Sequence, residues 1–216
     1  MINGVTFAGG NTSMHSYDDW GLLLSSVDIG IPSIKTEYVD IIGGSGTIDL
    51  TEVYGEVFYD DRNITMNFTA LDDKLRWTDK LDIITAYLHG KTFKITFDNN
   101  KAWYFIGRVS LDKYTSSKRL AKIVLKAVCE PYKLKQDKTI VKRQISGKTN
   151  IKCVCARMET IPTFTVSSPM TMKFNNSTYS LSNTVKYSDI VFVQGDNDLE
   201  FDGSGQVTIT YQEGTI

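Results

Sequence analysis

The sequence predicts a mainly β protein, α+β in its first domain through a single amphipathic helix, and three observations carry that expectation. Apolar and polar residues alternate with period two along much of the chain, which sends every second side chain to one face of a strand. One segment breaks this rule with helical spacing. Beyond a polar, lysine-rich stretch near residue 135, short strand-like runs recur roughly every eight to twelve residues, the rhythm of a small β-sandwich.

Taken in order, Ile64, Met66, Phe68 and Ala70 share one face against Thr65, Asn67 and Thr69, which predicts a half-buried strand. Between about Leu75 and His89, Trp77, Leu81, Ile84 and Leu88 fall at helical spacing, and Gly90 stands where a left-handed C-cap is wanted. That helix needs a sheet to cover its apolar stripe, and the strands on either side supply one. Phe93, Ile95 and Phe97 alternate up to the polar turn Asp98-Asn99-Asn100, and Trp103, Phe105, Val109 and Leu111 return, a β-hairpin. Ala121, Ile123, Leu125, Ala127 and Cys129 add a third strand. The stretch from Leu134 to Lys142 reads as a linker or domain boundary, with domains at residues 1–134 and 135–216. In the second domain, turns are expected at Ser167-Ser168-Pro169, Asn175-Asn176-Ser177, Gly195-Asp196-Asn197 and Asp202-Gly203-Ser204-Gly205, before a last run of Val207, Ile209 and Tyr211.

Composition narrows the function classes. The 216 residues are 41% hydrophobic and 23% charged, near the globular average, which argues against disorder or coiled coil. Lys and Arg total 24 against 25 Asp and Glu, so a net charge of −1 provides no long-range field to gather nucleic acid or an anionic membrane. No apolar stretch approaches the ~20 residues of a membrane span. The opening Met1-Ile2-Asn3-Gly4-Val5-Thr6-Phe7 lacks the features of a secretory signal, so the chain is expected to fold where it is made. Cys129, Cys153 and Cys155 are too few for a disulfide framework and suit a reducing cytoplasm.

Reactive centres are sparse. The histidines are His15, expected as a solvated loop residue without an acidic partner, and His89, expected to cap or pack at the helix end. Cys153-Val154-Cys155 supplies two of the four ligands of a structural zinc site and reads as core. Gly43-Gly44-Ser45-Gly46 lacks the Gly-Lys-Ser/Thr ending of a phosphate loop and runs into strand-like Thr47-Ile48-Asp49-Leu50, so a tight turn is expected. Asp196-Asn197-Asp198 lacks the remaining ligands of a calcium loop and reads as a hairpin turn. Asp18 with Asp19, and Asp72 with Asp73, read as capping and solubilising acids. The sequons at Asn63 and Asn67 fall inside a predicted strand. No catalytic residue, metal site, carbohydrate-binding residue or cofactor is predicted, and an enzyme is the weakest reading.

The order of several motifs resembles the distal tail proteins of long-tailed bacteriophages, almost end to end. Ser16-Tyr17-Asp18-Asp19-Trp20-Gly21-Leu22 is similar to the family's opening. Ile41 to Thr51 is similar to its glycine-rich turn and short acidic strand, with Ile42 where the family usually has proline. Tyr59-Asp60-Asp61-Arg62-Asn63-Ile64, Leu88-His89-Gly90-Lys91, Trp103 to Val109 with Gly107 and Arg108, and Cys129-Glu130-Pro131-Tyr132-Lys133 follow in the family's order. The matching positions are Trp20, Gly43, Gly46, Asp49, Arg62, Gly90, Gly107, Arg108 and Pro131. The segment from Gly203 to Gly214 is similar to the end of the family's galectin-like sandwich.

The resemblance implies a ring-forming N-terminal domain, a C-terminal galectin-like β-sandwich, and a hexameric ring, single or stacked, joining the tail tube to the tip and adsorption apparatus. Implied partners are other copies of the chain, the tail tube protein, the tape-measure protein, a tail-associated tip protein and a receptor-binding protein, with no sequence-specific nucleic acid and no membrane. The implied location is the virion tail tip, after assembly in the host bacterial cytoplasm. No room exists after Lys133 for the inserted carbohydrate module that some members carry. The competing reading is a tail-tip module that binds carbohydrate or docks a receptor-binding protein. Ring closure demands two different complementary patches on each copy, whose residues the sequence leaves unidentified.

Overall fold

A computed structural model describes residues 4–71, 77–116 and 120–216. Asp72, Asp73 and Leu75 lie outside the described residues, as does the side chain of Trp77. The chain divides into two compact units, Met1–Pro131 and Tyr132–Ile216.

In the first unit, β1 (Val5–Gly9), β2 (Thr12–His15) and β3 (Leu23–Ile29) precede a short hairpin of β4 (Tyr38–Asp40) and β5 (Thr47–Asp49). Next come β6 (Arg62–Leu71), α1 (Trp77–Leu88), β7 (Lys91–Phe97), β8 (Trp103–Ser116) and β9 (Leu120–Cys129). Seven strands form one antiparallel sheet in the order β2-β1-β7-β8-β9-β6-β3, while β4 and β5 pair only with each other. The core lies on one face of the large sheet. Phe7, Ile64, Met66, Phe68, Ile95, Ile123 and Leu125 are fully buried there with Ile84 and Leu88 of α1, each contributing roughly 1.5–3 kcal/mol of transfer free energy. Period-two alternation therefore places the strands, and the helical segment lies across them as expected. Gly90 has φ +77°, as a left-handed cap requires, and donates its N–H to Val109 O.

The second unit contains β10 (Lys133–Lys135), β11 (Thr139–Ser146), β12 (Thr149–Cys155), β13 (Thr163–Val166), β14 (Met170–Phe174) and β15 (Ser177–Leu181). It continues with β16 (Thr184–Val185), β17 (Gly195–Asp202), β18 (Ser204–Tyr211) and β19 (Gly214–Thr215). Two four-stranded antiparallel sheets, β11-β18-β13-β16 and β12-β17-β14-β15, enclose a second core that includes Phe164, Met172, Phe192, Phe201 and Ile209. This is the sandwich the turn rhythm predicts.

Two expectations here need correction. The polar stretch from Leu134 to Lys142 forms β10, paired with β19, and the start of β11, paired with β18. Its lysines sit on exposed or edge positions, and Lys135 reaches Glu213 at 2.7 Å. Gly195-Asp196-Asn197 is strand rather than turn: Asp196, Asp198 and Asp202 are exposed while Asn197, Leu199 and Phe201 are buried. Asn197 is tolerated inside because its amide accepts from Val193 N and donates to Cys153 O, Val193 O and Gly195 O.

Candidate assembly surfaces

Residues 30–61 leave the large sheet as a ribbon with no second layer. Gly30 donates to Asn63 O, Asp60 to Ser33 O, Lys35 to Phe58 O and Leu50 to Glu37 O, and β4 and β5 close the far end. Between residues 31 and 60 Pro32 is buried and nothing else is. Ile34, Tyr38, Val39, Ile41, Ile48, Val53 and Phe58 are all exposed, Ile31 and Tyr54 more than 80% so, and Ile42 completely. Exposed apolar residues concentrated in one segment make the ribbon a candidate interaction surface. The ribbon also carries Glu37, Asp40, Asp49, Glu52, Glu56 and Asp60 against Lys35. Asp49 is held below the usual carboxylate range by the Thr51 hydroxyl and then the Thr51 N–H, the latter at 2.9 Å. The glycine turn is the expected one, with Gly43 and Gly46 at φ +76° and +89°.

At the root of the ribbon, three of the motif positions meet. Arg62, 4% exposed, donates through Nη2 to Pro131 O at 2.5 Å and lies over the Phe105 ring at 5.3 Å. Burial pulls its guanidinium below its usual value. Arg62 and Gly107 both stand opposite Cys129 in the ladder, one from each side. A Cβ on Gly107 would strike Cys129 Sγ and come within 2.7 Å of Val128 O, which explains a glycine inside a strand. Burial pushes the Cys129 thiol up to about 12, so it is a packing group. Gly90 and Arg108 meet separately, Arg108 Nη1 donating to Gly90 O at 2.5 Å. Trp20 packs 6.2 Å from Phe7 and 5.6 Å from Tyr87 in the core. The nine motif positions thus form four local groups and not one centre.

The solvent face of β7, β8 and β9 is basic. Lys94 lies 3.9 Å above the Tyr104 ring, Lys126 pairs with Asp112 at 3.1 Å, and Arg108 and Lys122 are exposed. A shallow depression of about 490 Å³ on this face is lined by Thr92, Ile106, Arg108, Ser110 and half-exposed Val128, with Asp61 and Glu130 also on its rim.

One of the two histidines differs from expectation. His15 is not a solvated loop residue: it ends β2, its side chain is 18% exposed, and its ring nitrogens lie 2.9 Å from Asp18 Oδ2 and 3.0 Å from Asp98 Oδ2. Asp98 is distant in sequence, so spacing could not reveal it. The Asp18–Asp19 pair serves this clasp, Asp19 accepting from His15 N at 2.6 Å. His89 accepts at Nδ1 from Leu111 N, at the bulge where β8 shifts register, while Lys91 bonds the helix carbonyl of Ala86. Cys153 and Cys155 face the second core, and burial pushes each thiol up to about 11. No cluster of three or more metal-ligating side chains occurs among the described residues. A second depression, in the β12-β17-β14 region, is lined by Asn150, Lys173, Asn175, Asn176, Asp198, Leu199 and Glu200, without the aromatic platform on which sugars stack.

Motif reading found the glycine turn and Asp49 of the ribbon but missed its exposed apolar surface, although that left a signal. Tyr38-Val39, Ile41-Ile42, Val53-Tyr54 and Val57-Phe58 are apolar doublets, which depart from the single apolar face that alternation gives a half-buried strand.

No protein-family model matches the chain, and no curated protein matches it in sequence. In fold it is similar to the SPP1 Dit protein (gp 19.1), whose crystal structure is described as a paradigm of the hub adsorption apparatus in phages infecting Gram-positive bacteria. The two share a TM-score of 0.72 over 100% of each chain at 16% sequence identity. The overall architecture expected from the resemblance to distal tail proteins is the one observed.

Proposed function

We propose that this chain is a structural component of a bacteriophage tail tip, assembling as a hexameric ring that joins the tail tube to the tip and adsorption apparatus. The observation that carries the reading is the ribbon of residues 30–61, whose apolar side chains have no layer of their own to cover them. The end-to-end likeness in fold to a phage hub protein supports it. A cyclic ring places the same two unlike patches at every interface, so a one-sided projection on each copy is the device such closure uses. In this reading the first domain, residues 1–134, builds the ring and the sandwich of residues 135–216 is carried by it. Tail tube, tape-measure, tail-associated tip and receptor-binding proteins are the partners to which the ring presents its two ends and rim, and assembly precedes release from the host cytoplasm.

Solution mass and negative-stain images test this. The expected result is a particle of six copies with an open centre. A strictly monomeric chain at tens of micromolar, with no rings on the grid, overturns it.

A further inference from the structure

We propose that the tip of the β4–β5 hairpin of one copy, Ile41 and Ile42 between the carboxylates of Asp40 and Asp49, docks in the depression on the outward face of β7, β8 and β9 of a second copy. The inference rests on the ring reading above and names the two patches that reading requires.

Shape supports the pairing. Ile42 is fully exposed at the summit of a turn whose other members are Gly43, Gly44, Ser45 and Gly46, so no bulky side chain competes with it. Gly44 is itself pressed against Ile41, where a Cβ would come within 2.8 Å of Ile41 Cγ2, so the turn is a compact knob. The depression offers Ile106 and Val128 as an apolar floor, with Thr92 and Ser110 as polar walls.

Charge supports it as well. The knob stands between Asp40 and Asp49 on an acidic ribbon, and the outward positions of the three receiving strands carry Lys94, Arg108, Lys122 and Lys126. Asp61 and Glu130 on the rim would repel the hairpin's carboxylates. The hairpin must therefore enter with Asp40 and Asp49 toward Arg108 and Lys126, which fixes the direction of docking.

The occupant is a second copy because the geometry separates a chain's own knob from its own depression. The rim includes Asp61, which adjoins the root of the ribbon, while the knob lies eleven residues beyond Gly30, past the successive backbone pairings of Gly30 with Asn63, Ser33 with Asp60, Lys35 with Phe58 and Glu37 with Leu50. No residue of the ribbon beyond Asp61 lines the depression. A knob that cannot fill its own socket and fits the next one generates a head-to-tail contact.

The test is assembly of the full chain followed by solution mass across a dilution series, with thermal melting as the check on folding. Ile42→Asp and Val128→Asp should each raise the concentration needed for rings by about tenfold or more, and Ile42→Asp should leave the melting temperature of the dissociated chain unchanged. The double charge reversal Asp40→Lys with Asp49→Lys should dissociate rings, as should Arg108→Glu with Lys126→Glu, and mixing the two reversed sets in one chain should restore them. Rings that survive Ile42→Asp and both reversals overturn the docking while leaving the ring reading intact. A wild-type chain that forms no ring at all overturns both.

Discussion

The ribbon of residues 30–61 and the β17–β18 hairpin are built from the same material, β-branched and aromatic residues, carboxylates and glycine turns, yet they end in opposite environments. In the hairpin Leu199, Phe201, Val207, Ile209 and Tyr211 are buried and the acids between them are mostly exposed. In the ribbon apolar residues stand side by side in sequence and all but Pro32 remain outside the core. The difference is whether a second sheet lies opposite. A strand with one greasy face needs one covering layer. Cohesion in the hairpin therefore comes from a covering sheet, which the ribbon lacks within its own chain.

The sharpest way to break this comparison is to truncate one side chain in each region and measure the stability of the dissociated protein. Phe201→Ala removes a fully buried ring that packs 6.5 Å from Phe164, and a loss of roughly 3–5 kcal/mol is expected. Ile48→Ala in the ribbon should change the same chemical or thermal unfolding midpoint by less than about 0.5 kcal/mol. Comparable losses at both positions would mean that the ribbon has a core of its own.

The next largest effects are expected at the root of the ribbon, where a core residue serves the projection. Arg62→Met keeps the length of the side chain but leaves the Pro131 carbonyl without its donor, which should cost roughly 1–3 kcal/mol. Gly107→Ala drives a methyl into Cys129 Sγ and the Val128 carbonyl, with a similar cost of roughly 1–3 kcal/mol. Adding Cys129→Ala should recover only part of that loss, because the backbone oxygen cannot move away with the thiol. Full recovery in calorimetric melting would show that the strand spacing is softer than the Arg62–Cys129–Gly107 alignment implies.

In the sandwich, Asn197→Ala removes an amide that bonds four backbone groups near the start of β17. A loss of roughly 1–3 kcal/mol is expected from the Val193 and Gly195 groups left unsatisfied. Hydrogen exchange at Val193 N should accelerate before that of the β18 amides. Uniform acceleration across the second unit would assign Asn197 to packing and not to local bonding.

These regions also show what could be read before the coordinates. Alternation found β6, β7, β8, β9 and β18, because each has one face against a core, and the helical spacing of Leu81, Ile84 and Leu88 found α1. It failed at Asn197, where a polar residue occupies an inward position and imitates a turn, and at Leu134 to Lys142, where the charges belong to the short strand β10 and to β11 at a sheet edge. The motif positions were legible as a string, but their grouping was not. Arg62, Gly107 and Pro131 meet only because β6, β9 and β8 are neighbours, and His15 meets Asp98 only across the sheet. Apolar doublets were visible in the ribbon throughout. Their meaning depended on knowing that no second layer covers them, and that is a property of the fold.

The smallest expected effect separates the regions by their acids. Burial raises Glu213, but the Lys135 ammonium at 2.7 Å and the Thr139 hydroxyl outweigh it and hold the carboxyl below its usual value near 4.5. A carboxyl depressed by folding contributes stability that is complete above its unfolded value and is lost as pH falls through the folded one. The second unit should therefore weaken as pH drops below about 4.5, and Lys135→Met should flatten that acid limb. Asp49 in the ribbon is also held low, by Thr51, but it is wholly exposed and solvent screens the contact. Asp49→Asn should then leave the acid limb of the dissociated chain closer to wild type than Lys135→Met does, and the reverse order in pH-dependent melting would place the ribbon within the cooperative core.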